Sequence, residues 1–154
     1  MTPDERARAC GGMTPDELAR ACGDAMWADD HASRGLGMAL DFVAPGKSRL
    51  SMTVAESMVN GLGMCHGGFI LTLADSAMAF ASNAHGDHAV AQHIAVTYVR
   101  PGHLGERLAA TAEERLRTGR SGMYDVRVTG GDGTVVAEMR GHTRLTGGKF
   151  FPEA

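Results

Sequence analysis

Hydrophobic and polar positions alternate along six segments of this chain, and one longer segment is apolar almost throughout. Such alternation is typical of half-buried β-strands. It predicts strands over residues 38–42, 50–54, 89–99, 108–112, 124–128 and 135–145. The apolar segment is rich in alanine, and it lies between the pair Gly67 and Gly68 and the later Gly86. These boundaries predict one long helix over about residues 67–84.

The order of these elements predicts an α+β fold. A helix that is apolar on nearly every side must be buried on nearly every side, and an antiparallel meander needs a cover for its apolar face. We therefore expect a curved antiparallel sheet of five to six strands wrapped around the central helix. Small side chains such as Ala74, Ala77 and Ala81 would let the sheet approach the helix closely.

The N-terminus contains the same twelve-residue pattern twice, in residues 1–12 and 13–24. In the second copy Thr14, Pro15 and Glu17 form the sequence of a capping box, which predicts a helix over residues 15–28. The first copy is expected to be frayed or a short extra helix without function. We divide the chain into an N-terminal helical segment (residues 1–30), a single domain (31–148) and a C-terminal tail (149–154).

Composition excludes several classes of protein. The chain has 154 residues, with 15 Lys and Arg against 18 Asp and Glu, which argues against a nucleic-acid partner. The apolar segment is too short to cross a membrane and contains Asp75, so we expect no membrane association. Three cysteines without framework spacing, Cys10, Cys22 and Cys65, favour a cytoplasmic location.

The most unusual residue is Asp75, a carboxylate deep in the apolar segment. Burying a carboxylate costs free energy unless a partner or a function compensates. The two glycines ahead of it would present N–H groups at the positive end of the helix dipole. The pattern indicates an acid or base facing a site for negative charge, although a core acid bonded to Thr72 or to a neighbour is the alternative. Asp75 also belongs to a polar stripe that we expect a partner subunit to cover: Thr72, Asp75, Ser76, Ala79, Ser82 and Asn83.

Several motifs resemble a known family. The chain contains His66-Gly67-Gly68 after Asn60 and then Leu73-Ala74-Asp75. Further matching segments are residues 81–83, 99–102, 122–126, 140–141 and 147–148. Together they resemble the hotdog-fold acyl-CoA thioesterases of the phenylacetic-acid-degradation (PaaI) type, over about residues 31–148. The resemblance implies hydrolysis of an acyl-CoA, with phenylacetyl-CoA or a ring-hydroxylated relative as the substrate.

The resemblance also implies roles for individual residues. Gly67 is the first choice and Gly68 the second for the backbone N–H that stabilises the oxyanion. Asp75 acts as general base on water or as the nucleophile, and the sequence does not choose between these roles. The amide of Asn60 orients water or the carbonyl, or else it only caps its loop. We expect His66, the other motif residue of the catalytic group, to bond the loop that holds Asn60 rather than to act as a base.

The remaining expectations concern ligands and partners. Coenzyme A is part of the substrate, no cofactor or metal is required, and Arg100, Arg117 and Arg120 are candidates for binding its phosphates. We expect a homodimer with shared active sites, assembled further into a homotetramer. The family places a polar residue in the strand after the helix, where this chain offers Ala91, Gln92 and His93, and the sequence leaves that role open.

Other interpretations of the same residues stay open. One alternative function is a non-catalytic acyl-CoA-binding hotdog protein. The other is a hotdog enoyl-CoA hydratase or dehydratase, although that chemistry usually needs an Asp–His pair. A Cys65–His66 nucleophile is disfavoured because adjacent side chains point apart. A metal-like group is disfavoured because it lacks a recognised ligand spacing; its members are His85, Asp87, His88 and His93.

Overall fold

The computed structural model describes residue 2 and residues 11–152. These residues form three helices, α1 (Pro15–Asp29), α2 (His31–Gly35) and α3 (Gly67–Asn83), with a short 3₁₀ turn at Glu56–Met58. The strands are β1 (Ala39–Ala44), β2 (Lys47–Thr53), β3 (Asp87–Tyr98), β4 (Arg107–Thr118), β5 (Ser121–Thr129) and β6 (Val135–Lys149). No helix in the described part of the chain is long and apolar enough to cross a membrane.

The strands form one antiparallel sheet in the order β1-β2-β4-β5-β6-β3. The prediction of five to six antiparallel strands around one long helix is confirmed, with six strands present in the described residues, and most of them run beyond their predicted ends. The sheet is a simple meander only in part, because β3 pairs with β6 and not with β4. Strand β3 therefore lies at one edge of the sheet, and β1 lies at the other.

Helix α3 lies across the concave face of the sheet and contacts all six strands. Its buried side chains include Leu73, Ala77 and Phe80, which belong to the main hydrophobic core. Alanines along the helix let the sheet approach closely, as the sequence predicted. Strand β6 contributes to this fit through Gly141, since the sulfur of Met78 fills the space where a side chain at residue 141 would be.

The N-terminal helix α1 starts as the sequence predicted. The Thr14 hydroxyl accepts from the Glu17 amide at 3.2 Å, and the Glu17 carboxylate accepts from the Thr14 amide at 2.9 Å. The helix packs on the core through Leu18, Cys22 and Trp27, whose ring lies 6.1 Å from that of Phe80. Most of the first repeat copy lies outside the described residues. The domain division at residues 30 and 148 also stays a prediction.

The polar stripe on α3 is only partly available to a partner, which corrects our expectation. Ser82 and Asn83 are buried within the chain. The Asn83 side chain donates to the carbonyls of Ala79 (2.9 Å) and Ala89 (3.0 Å) and accepts from the Ala89 amide (3.0 Å). The Ser76 hydroxyl bonds that of Ser33 in α2 at 2.9 Å. These residues therefore stabilise the fold of the single chain, because they connect α3 to α2 and to β3.

A polar network fixes the C-terminal end of α3. The Glu114 carboxylate accepts from Tyr124 and pairs with His85, both at 2.9 Å, and Arg117 lies 3.6 Å away. Burial by itself would raise the pKa of Glu114. The hydrogen bond and charge of His85, together with Tyr124 and Arg117, outweigh burial, and the pKa of Glu114 is lowered. The network ties the loop after the helix to β4 and β5.

We predict that Asn83→Ala lowers the free energy of unfolding by about 2 to 5 kcal/mol, because it leaves the buried Ala89 amide and carbonyl without partners. The matched control is Ser82→Ala, which removes a 3.2 Å bond to the Ala79 carbonyl and a long 3.5 Å bond from Asn83 Nδ2, leaves the Asn83 bonds to Ala89 in place, and should cost less than about 1 kcal/mol. Urea denaturation at fixed protein concentration measures both. Equal losses for the two variants would show that the Asn83 bridge does not hold the helix to β3.

Candidate active site

A cavity of about 420 Å³ opens at the N-terminal end of α3. It is lined by Asn60, Met64, Cys65, Gly67, Ile70, Tyr98, Val99, Arg100 and Pro101. The cavity therefore brings together three residues that the sequence analysis selected, Asn60, Gly67 and Arg100. Most of its other lining is apolar, which suits an acyl chain or ring better than a free charge.

The first turn of α3 treats its two glycine amides differently. His66 is the N-cap, and its Nδ1 accepts from the Gly68 amide at 2.9 Å. The Phe69 amide donates to the His66 carbonyl at 3.0 Å. The Gly67 amide has no acceptor among the residues that the structure describes. The geometry thus separates the two glycines: Gly67 lines the cavity with its amide unoccupied within the described residues, whereas the amide of Gly68 is occupied.

The Asn60 side chain has one occupied end and one open end. Its Oδ1 accepts from the backbone amides of Leu62 (2.9 Å) and Met64 (3.3 Å). Its Nδ2 has no acceptor within the described residues. The loop-capping role is therefore present, and the same bonds leave Nδ2 as the open end of an amide that lines the cavity. This end donates hydrogen bonds and cannot accept them.

Asp75 has no hydrogen bond or ion pair with any residue in the described part of the chain. It is half-buried, and burial raises the pKa of its carboxyl. The alternative in which Thr72 satisfies it is not what the structure shows, because the Thr72 hydroxyl donates to the Gly68 carbonyl at 2.8 Å. Asp75 lies about 12 Å along the helix axis from Gly67 and is not among the cavity residues of its own chain.

The three candidate arginines are not gathered at the cavity. Arg100 lies at its wall, but its guanidinium bonds both carboxylate oxygens of Glu106, at 3.1 and 2.8 Å. Arg117 pairs with Glu114, and Arg120 donates to the Leu145 carbonyl at 3.1 Å. Both lie at the far end of β4, roughly 30 Å along the strand from the cavity. Phosphate binding by these residues stays a prediction.

The histidines and cysteine of the alternative interpretations have other partners. His85 bonds Glu114, the His88 ring stacks edge-on against Phe150 with 4.4 Å between ring centroids, and the His93 ring lies 5.8 Å from that of His142. Within residues 11–152 no three His, Cys, Asp or Glu side chains are placed to hold a metal ion. Burial and the nearby charge of Glu106 raise the pKa of the Cys65 thiol, which makes it a poor nucleophile.

Two features of β3 were not predicted. Ala91, Gln92 and His93 are all exposed, and the pairing with β6 shifts register between Ala91 and His93, so Gln92 lies at a β-bulge. Further along, Tyr98 donates its hydroxyl to the Gly67 carbonyl at 2.8 Å. No motif marks Tyr98, because its position follows from the pairing of β3 with β6.

Comparison with known proteins agrees with this architecture. The thioesterase superfamily model matches residues 62–137. Acyl-coenzyme A thioesterase PaaI of Escherichia coli (strain K12) is 36% identical over 130 residues, which are 84% of this chain and 93% of that protein. The solved structure of E. coli PaaI, from the phenylacetic acid degradation operon, matches with a TM-score of 0.87 at 34% identity and covers 88% of this chain and 99% of that one. A Streptococcus mutans UA159 protein solved with acetyl-CoA bound matches at 25% identity, with a TM-score of 0.70 over 73% of this chain and 90% of that one.

A curved antiparallel sheet wrapped around one central helix, shared with a solved PaaI, confirms the hotdog fold. The chain belongs to the thioesterase superfamily, within the PaaI type that its motifs predicted. It is therefore an enzyme of the thioester-hydrolase class.

We predict that His66 acts through its N-cap bond. His66→Ala should lower the free energy of unfolding by about 0.5 to 2 kcal/mol, since the Gly68 amide loses its acceptor. His66→Asn keeps a capping acceptor and should recover most of the stability and of the turnover. Thermal unfolding and thioester hydrolysis measure the two effects. A stable but inactive His66→Asn variant would show that the imidazole itself takes part in the chemistry.

Proposed function

We propose that this chain hydrolyses acyl-CoA thioesters, with phenylacetyl-CoA or a ring-hydroxylated phenylacetyl-CoA as the preferred substrate. One observation carries the proposal: two open donors, the Gly67 amide and Asn60 Nδ2, line the same apolar cavity at the start of a buried helix. Attack on a thioester places negative charge on the carbonyl oxygen, and fixed N–H donors stabilise that charge.

The proposed reaction adds water across the C–S bond. The thioester oxygen accepts from the Gly67 amide, and Asn60 Nδ2 donates either to the same oxygen or to the attacking water. Asp75 takes a proton from that water, or it attacks the carbonyl itself and forms an anhydride that water then cleaves. In both routes the acid is released, and the CoA sulfur leaves as a thiol after it gains a proton. The oxyanion forms in both routes, so the Gly67 donor does not distinguish them.

The Asp75 carboxylate that acts in this reaction is proposed to come from a second subunit. Asp75 and Gly67 are about 12 Å apart along one rigid helix, whereas reacting atoms must approach to about 3–3.5 Å. A partly buried carboxylate without a hydrogen-bond or ion-pair partner among the described residues also suits a ligand or neighbour that covers it. We therefore propose that the partner subunit's Asp75 completes the site at Gly67, and that each dimer contains two such sites.

The edge strand β3 is the proposed contact between the two subunits. Its outer edge has no neighbouring strand in the described chain, and Val90 and Tyr98 are 55% and 47% exposed. A long exposed edge is a template for pairing with another strand. Two β3 strands that pair antiparallel about a twofold axis would join the sheets and bring the two α3 helices side by side. Assembly of two dimers into a homotetramer is part of the same proposal.

The acyl preference rests on the cavity and on the relatives. Met64, Ile70, Tyr98 and Val99 offer apolar and aromatic surface of a size suited to one ring. The related E. coli protein comes from a phenylacetic acid degradation operon. Arg100, Arg117 and Arg120 stay candidates for the CoA phosphates. We propose that the enzyme acts without metal or cofactor and in the cytoplasm, where its cysteines would stay reduced.

We predict that the purified chain releases free thiol from phenylacetyl-CoA faster than from straight-chain acyl-CoA esters. Asp75→Asn should abolish release while the assembly, measured by sedimentation, stays intact. A thiol-reactive dye monitors the reaction across a panel of aryl- and alkyl-CoA esters. Faster turnover of all alkyl esters would refute the aryl preference. Tight binding without thiol release would indicate a binding protein, and hydration of an enoyl-CoA would indicate a hydratase.

The raised pKa of Asp75 predicts opposite effects of rising pH on activity and on stability. Because burial raises that pKa, the active carboxylate should lose its charge at higher pH than an ordinary aspartate, whose pKa is about 3.9. The acid limb of kcat/KM should therefore lie above this value. The ionised group also destabilises the folded chain as pH rises through its pKa. Asp75→Asn should thus be at least as stable as wild type at pH 7, and a large loss of stability would contradict the assignment.

Subunit mixing tests whether the site is shared. Asn60→Asp keeps the oxygen that caps the loop but loses the donor, and it should lower kcat by about 10²–10³-fold; Asp75→Asn is inactive. When the two variants are refolded together, half of the dimers should be mixed, with one intact site each. Activity should then return to about one quarter of wild type, since an isologous dimer has two equivalent sites. No recovery, with mixed dimers confirmed by mass spectrometry, would place the whole site in one chain.

A further inference from the structure

We propose that Tyr98 is a positioning residue of this site: its hydroxyl anchors the Gly67 carbonyl and its ring packs against Gly67, and together they keep this residue, with the proposed oxyanion donor, in place at the cavity wall. The inference rests on the proposed function, because it takes the Gly67 amide as the oxyanion donor. It adds a residue that the sequence motifs do not select.

The donor needs an anchor because of the residues around it. Gly67 and Gly68 are consecutive glycines, which have the greatest backbone freedom, and they form the first turn of a helix, where amides lack intrahelical acceptors. A donor stabilises an oxyanion most when its direction is fixed before the reaction. The sequence therefore places two flexible residues where the mechanism needs a fixed donor.

Several hydrogen bonds restrain this turn. Those from within the helix and its N-cap run from the Gly68 amide to His66 Nδ1 at 2.9 Å, from the Phe69 amide to the His66 carbonyl at 3.0 Å and from the Thr72 hydroxyl to the Gly68 carbonyl at 2.8 Å. A further bond runs from the Tyr98 hydroxyl to the Gly67 carbonyl at 2.8 Å. Within the described residues, the Tyr98 bond is the side-chain bond to these two glycines that comes from the sheet. It therefore fixes the turn relative to the wall of the cavity.

The Tyr98 ring also contacts the glycine directly. A Cβ at residue 67 would lie 2.9 Å from the Tyr98 Cζ and 3.0 Å from its hydroxyl oxygen. The ring thus occupies the space that any side chain at residue 67 would need. Because the hydroxyl proton is used by the Gly67 carbonyl, the oxygen presents only lone pairs to the cavity. Tyr98 consequently supports the donor and does not itself donate to the substrate.

The test uses the two tyrosines of the chain. Tyr98→Phe removes only the anchoring oxygen and should lower kcat about 2- to 10-fold, the factor that a typical neutral hydrogen bond corresponds to, with KM changed less than about 2-fold. The matched control is Tyr124→Phe, which removes a hydroxyl that bonds Glu114 at 2.9 Å, at the other end of α3. It should leave kcat and KM unchanged. Tyr98→Leu, which also removes the ring, should lower kcat further.

Hydrogen–deuterium exchange gives a readout that does not depend on turnover. The peptide that covers residues 66–73 should exchange faster in Tyr98→Phe than in wild type, and residues 121–129 should not change. In Tyr124→Phe the peptide over residues 66–73 should exchange as in wild type. If wild type hydrolyses no acyl-CoA, the proposed function fails, and exchange alone decides whether Tyr98 holds the turn.

Other results overturn the inference. Unchanged kcat in Tyr98→Phe would show that the hydroxyl does not position the donor, even if exchange increases. An increase in KM at constant kcat would make Tyr98 a substrate-binding residue. Unchanged exchange over residues 66–73 would show that the bond does not restrain the turn. A Tyr98→Phe variant equal to wild type beside an impaired Tyr98→Leu would assign the effect to the ring.

Discussion

The structure depends on the burial of helix α3 inside the curved sheet. Helix α3 contacts all six strands and buries nine of its 17 residues, so each polar group on that buried side must find a partner in the protein or face a cavity. The first turn shows the result most clearly. His66 satisfies the amides of Gly68 and Phe69, through its ring and its carbonyl respectively. The Gly67 amide is the donor that this arrangement leaves at the cavity wall.

Hydrogen bonding distinguishes two polar residues on helix α3. Asn83 and Asp75 both interrupt apolar sequence, and position alone gives them equal weight as functional candidates. The structure satisfies Asn83 completely, with three hydrogen bonds to backbone groups of its own chain. It gives the Asp75 carboxylate no partner among the described residues, and burial raises its pKa. A polar residue in a core is thus evidence of function only when the fold leaves it unsatisfied.

The sequence predicted most of the architecture because periodicity is a local property. The alternation of residues located six strands, and the alanine-rich segment located the central helix. The motif residues Asn60 and Gly67 also reached one cavity. Local patterns do not contain the pairing of β3 with β6, the choice between Gly67 and Gly68, or the position of Tyr98, since each depends on which distant segments meet. The arginines show the same limit: proximity to turns suggested a phosphate site, whereas Arg100 is engaged by Glu106.

The rigidity of α3 also bears on how the proposed site is assembled. Its donor and its acid are part of one continuous helix, so no loop movement within a subunit changes the distance of about 12 Å between them. A mechanism that needs both at one carbonyl therefore requires two helices, and the unpaired edge of β3 offers a symmetric way to bring them together. Tyr98 lies on that same edge strand and contacts Gly67. On this view the strand that joins the subunits is also the strand that positions the oxyanion donor, so pairing of the chains and preparation of the site are parts of one arrangement.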